Sequence, residues 1–185
     1  MGFYSVINGI LFLGACQAFL ASLGTPAMWA AAVLVVTILN ESVVTSELVE
    51  RPVSPVVYRM EMKLLDIATF AVLTWALLVL NPTINAMNVD VSATLWGVGR
   101  PRLFWTLLIV YWLLTLCWNW RAGQFSKAVW KEWFLVCMGV MWLPPLLALF
   151  SHWRARDFSS ASIYPSLMVL GVLVAYLLSK LRAAR

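Results

Sequence analysis

The chain has 185 residues, of which 63% are hydrophobic and 11% charged, with a mean hydropathy of +0.87. Soluble domains carry about 25% charged residues, so this composition excludes a water-soluble globular enzyme or binding module. The net charge of +5 lies in segments between apolar runs, with no basic run dense enough to hold a nucleic acid.

Apolar runs of roughly 18 or more residues read as membrane spans. The expected fold is therefore an all-α integral membrane protein, a single polytopic domain over residues 1–185 built as a bundle of about six transmembrane helices. The first span covers 5–23 and is retained, because Met1-Gly2-Phe3-Tyr4 offers neither a cationic leader nor a cleavage site. Gly24 closes it, and Pro26 suits the first turn of the next helix. In this first span Gly14 and Ala18 form a small-xxx-small pair, and Gln17 carries an amide able to hydrogen-bond across a helix contact. These three are the helix-contact candidates.

The second span covers 27–46 and continues as a polar helical extension to about residue 50. The third covers 64–80 and stops at Asn81-Pro82. A segment over 81–102 follows, the one sizeable loop on its side, and then a fourth span over 103–120. That span is rich in aromatics: Trp105, Tyr111, Trp112, Trp118 and Trp120. Trp105 and Trp112 lie seven apart on one face, which suits packing or a flat ligand. The fifth span, 133–150, contains Pro144-Pro145, which removes two backbone donors and kinks or breaks a helix. The sixth covers 163–181. A five-span alternative treats the short third run as a tilted or re-entrant segment.

With six spans, Arg51, Arg59, Lys63, Arg121, Lys127, Lys131, Lys180, Arg182 and Arg185 fall on one side, and Arg100, Arg102, Arg154 and Arg156 on the other. The positive-inside bias then puts both termini in the cytoplasm. Trp29, Trp96, Trp105 and Trp153 near the outer ends, and Trp118, Trp120, Trp130 and Trp133 near the inner ones, fit aromatic belts at the two faces. The short chain suits a bacterial inner membrane.

The polarity of the chain is concentrated in one stretch. Glu41, Glu47, Glu50, Glu61 and Asp66 are five of the eight carboxylates. Glu41 falls roughly 7 Å inside the inner edge of the second span at 1.5 Å per residue, and Asp66 lies at a similar depth at the start of the third. Thr37, Glu41 and Thr45 recur every four residues on one helix face, with Asn40 on the adjoining face. A charge within a span costs about 2.5–3.5 kcal/mol at the centre, so it turns to a wet cavity, a counter-charge or the bundle interior.

Two readings follow. Glu41, Asp66, Thr37, Thr45 and Asn40 line a proton or cation path opening to the cytoplasm; or Glu41 and Asp66 form an interfacial ion-pair cluster with Arg51, Arg59 and Lys63. On the first, the protein is a small channel or transporter for protons, cations or small solutes. On the second, it is a non-catalytic membrane subunit, anchor or regulator.

A membrane enzyme is the weakest alternative. No nucleophile elbow, zinc helix, phosphate loop or dinucleotide fingerprint occurs, and the lone His152 cannot build a bis-histidine haem or zinc site. Cys16, Cys117 and Cys137 read as buried small hydrophobes. The expectation is no cofactor and no metal, with the lipid bilayer and either further copies of the chain or a membrane complex as partners.

Overall fold

The computed structural model describes the backbone of residues 2–50, 60–81, 99–121, 146, 150 and 157–183, and side chains within 6–42, 63–81, 99–118 and 157–178 and at 146 and 150. The expected fifth span with Pro144-Pro145, the loop segments 51–59 and 82–98, His152, Cys137 and the side chain of Thr45 lie outside the described residues.

Among the described residues the protein is all-helical, with five α-helices and no strand: α1 (Gly2–Ala21), α2 (Ala27–Glu50), α3 (Met60–Leu80), α4 (Arg100–Arg121) and α5 (Ile163–Ala183). A single turn of 3₁₀-helix, Ser160–Ser162, leads into α5. Three helices are long and apolar enough to cross a membrane, over Lys63–Leu80, Arg100–Trp118 and Ser160–Leu178. Val6–Ala21 and Ala27–Ser42 are shorter apolar helices. Val6, Ile10, Leu13 and Leu20 on α1, Leu64 and Ile67 on α3, and Tyr164, Leu167 and Met168 on α5 are exposed. Apolar surface of this extent is compatible with a membrane location.

α1 and α2 form an antiparallel hairpin. Gly24 takes φ +80°, the left-handed conformation that ends a helix at low cost only for glycine. Around it, Ser22 Oγ donates to the Phe19 carbonyl (3.0 Å) and Thr25 Oγ1 to the Ser22 carbonyl (2.7 Å). These bonds occupy carbonyls that the helix end leaves open. α3 packs on α4, α1 on α2 and α3, and α2 on α5.

The packing faces follow helical spacing. Asn8, Leu11, Ala15 and Ala18 are buried on α1, with Ser22 just past its end, and Thr69, Leu73, Ala76 and Leu80 on α3. Lipid tails are as apolar as leucine, so helices in a bilayer gain from close van der Waals fit rather than from leaving water. Ala15, Ala18, Ala30 and Ala31, each at most 2% exposed, provide that fit. Gly14 adds to it: a Cβ there would stand 2.7 Å from Leu77 Cδ2 of α3.

Two polar contacts set the helix directions. Arg100, the first residue of α4, donates through Nε and Nη2 to the Val79 carbonyl near the end of α3 (3.2 and 3.0 Å), and its Nη1 pairs with Asp157 Oδ1 just before α5 (3.2 Å). The guanidinium thus caps a carbonyl at the partly negative end of α3. Asn40 Nδ2 donates to the Leu173 carbonyl (3.3 Å), and the turn Ser160–Ser162 lies against α2, so α2 and α5 run parallel. The end of the bundle at Arg100 therefore holds the finish of α1 and α3 and the start of α2, α4 and α5.

Candidate functional site

The opposite half of the bundle gathers the polar side chains. α2 leaves its apolar stretch at Asn40-Glu41-Ser42, and Glu41 is partly buried there. Tyr111, about three turns along α4, is 4% exposed. Its Oη donates to Glu41 Oε2 at 2.6 Å, within the 2.5–2.7 Å range of charge-assisted O–H···O⁻ bonds. This bond joins α2 to α4. A buried carboxylate without a donor carries a large desolvation cost, and the Tyr111 bond offsets part of it.

Asp66 of α3, partly buried, lies close enough to Glu41 for the two carboxylates to interact electrostatically. Tyr176 of α5 stands in the same relation to Tyr111. It follows Leu173, the acceptor of the Asn40 bond, by one helical turn on the same side. The Thr115 hydroxyl sits beside the Tyr111 phenol and donates to the Tyr111 carbonyl (3.0 Å). Polar groups of α3 and α4 thus bear on Glu41, and α5 adds Tyr176 toward Tyr111.

Of the residues singled out from the sequence, Glu41 and Asp66 lie within electrostatic reach of one another. Thr37 is 1% exposed and gives its hydrogen to the Val33 carbonyl one turn back (2.7 Å). Asn40, 9% exposed, spends its amide on the α2–α5 contact. The side chain of Thr45 lies outside the described residues. Lys63 is exposed, while Arg51 and Arg59, the other cations expected beside the carboxylates, lie outside the described residues. Gly14 and Ala18 are at helix contacts, and Gln17 faces outward from α1, exposed between Leu13 and Leu20.

Three features escape the sequence reading. Tyr111 stands there as one of an aromatic stripe; the signal that sets it apart is its hydroxyl, a polar tip inside a span that needs a partner when buried. Arg100 counts there only as an outer charge. Asn8 is 5% exposed with its Oδ1 lacking a hydrogen-bond partner, and the same is true of Nε1 in the fully buried Trp105. Of the readings of the aromatic stripe, packing holds for Trp105, a core residue edge-on to Phe104 (ring centroids 5.3 Å).

Comparison of the chain with protein-family models, with curated proteins and with solved structures finds no match.

Proposed function

We propose that the protein is a small polytopic membrane transporter that moves protons or small cations, with Glu41 and Asp66 as its charge-binding groups and the site opening toward the cytoplasm. The observation that carries this reading is the Tyr111 Oη–Glu41 Oε2 bond of 2.6 Å, made across α2 and α4 with Asp66 in electrostatic reach. An ionisable group inside a span is costly to keep, and here it is held by a second helix rather than turned out to the surface.

In this reading the bundle has six spans with both ends in the cytoplasm, in a bacterial inner membrane, and assembles with further copies of itself or within a membrane complex. The helix directions support it. The Arg100–Asp157 pair brings the starts of α4 and α5 to one end, as the six-span reading expects of its fourth and sixth spans. The start of α1 and the finish of α5 share the Glu41 end, where positively charged Lys180 and Arg182 follow.

A second reading, a non-catalytic membrane subunit or anchor, draws on one observation. Between Glu41 and the Arg100 end, Leu34, Ile38, Leu73, Phe104, Trp105 and Leu108 are all fully buried. These side chains close that half with apolar bulk, so transport requires a rearrangement that a subunit does not.

The test is ion flux through the purified protein in liposomes, wild type beside Glu41→Gln at matched reconstitution. The transport reading expects flux in the wild type and the empty-liposome rate in the variant. Equal flux in both moves the path away from Glu41. No flux in either favours the subunit reading.

A further inference from the structure

We propose that the ion handled at this site is the proton, and that the Tyr111 phenol relays it to and from the Glu41 carboxylate. The inference rests on the transport reading and names its substrate.

The ligand set argues for it. Calcium takes about six to eight oxygen ligands, and magnesium about six in a near-ideal octahedron. The described residues hold no group of three or more histidine, cysteine, aspartate or glutamate side chains. The nearby hydroxyls are turned to their own helices: Thr37, Ser42, Thr69 and Thr115 each donate to the carbonyl one turn back, at 2.7, 2.9, 2.8 and 3.0 Å. The Asn40 amide donates across to Leu173. Tyr111 is different, because its hydrogen points at a carboxylate oxygen 2.6 Å away. A proton needs only a lone pair and a donor at that separation, and both are in place.

The step balances without a further reactant. A hydronium ion arriving on the Tyr176 side bonds its proton to Tyr111 Oη and leaves as water. The phenolic O–H bond breaks as the hydrogen moves to Glu41 Oε2. Tyr111 begins and ends neutral, and the Glu41 carboxylate goes from charge −1 to 0. Among the described residues Asp66 from α3 bears on Glu41 and Tyr176 from α5 on Tyr111; the packing face of α1 presents the neutral Asn8 at this end.

The experiment uses the full chain in liposomes loaded with a pH-sensitive dye, with a potassium diffusion potential as driving force and sodium and rubidium uptake measured in parallel. The expected result is proton flux without sodium or rubidium uptake, lost in Glu41→Gln and lowered roughly 10²-fold in Tyr111→Phe, the low end of what a positioned acid–base group contributes. Sodium or rubidium uptake that needs Glu41, with no proton flux, overturns the proton assignment and leaves the transport reading standing. No flux of any ion through the wild type removes the transport reading, and this inference with it. Proton flux unchanged in Tyr111→Phe overturns the relay. Difluorotyrosine placed at 111 keeps the ring and hydroxyl but makes the phenol more acidic. A relay then shifts the pH of half-maximal flux, and an unshifted profile reduces Tyr111 to a positioning residue and overturns its part.

Discussion

The two halves of the bundle are held by different forces. Toward the Arg100 end, large apolar side chains are fully enclosed, and the one charged contact described is a guanidinium shared between the Val79 carbonyl and an Asp157 that is 72% exposed. Toward the Glu41 end, the helices are joined through side-chain polar groups: Tyr111 to Glu41 across α4 and α2, and Asn40 to Leu173 across α2 and α5. Dry packing is insensitive to protonation. A bond to a buried carboxylate is not, so the ion handling proposed for this protein belongs to the second half.

Substitutions can break or sharpen that contrast. The largest effect is expected at Trp105, wholly enclosed in the dry half. Trp105→Ala leaves a cavity and should lower stability by about 3–5 kcal/mol, read as a fall in the thermal midpoint in detergent. A smaller loss would mean that this half is looser than its burial implies.

Gly14 comes next, where α1 meets α3. Gly14→Leu overpacks the contact with Leu77 and should cost about 1–3 kcal/mol. Gly14→Ala should be milder, because the nearest atom is the far end of a mobile leucine side chain. The same thermal measurement ranks the two, and a reversed order would place α1 away from α3. Asn40→Leu should be the smallest, near 0.6 kcal/mol, the average for hydrogen bonds between helices in membranes. A much larger loss would mean that Asn40 does more in the polar half than tie α2 to α5.

Much of the fold is legible in the sequence because apolar run length reports directly on helices in a bilayer. The second helix runs over Ala27–Glu50, matching an expected span at 27–46 with its polar extension, and the break at Gly24 takes the left-handed φ that its residue type permits. The last helix starts at Ile163 as expected. The candidate site is legible only in part. Glu41 and Asp66 stand out because charge inside an apolar run is rare, and the short connection between their helices makes them neighbours.

Tyr111, seventy residues away, is invisible by the same logic. A tyrosine among tryptophans carries no periodic signal, and which helix it faces is decided by packing. The Arg100 contact is hidden for a related reason. Counting charges by side predicts where an arginine lies but not which carbonyl it reaches. Trp105 shows the same limit, since periodicity puts it on one face with Trp112 but packing decides that the face is enclosed.

The account depends most on the pairing of Glu41 with Tyr111, and a double-mutant cycle measures it directly. Glu41→Gln, Tyr111→Phe and the double variant would be compared with the wild type for unfolding free energy in bicelles. A hydrogen bond to a charged group contributes about 1.5–3 kcal/mol, so the predicted coupling is of that size and favourable. Additive losses, with coupling within about 0.5 kcal/mol of zero, would contradict the pairing, and the proton or cation site built on it would fall.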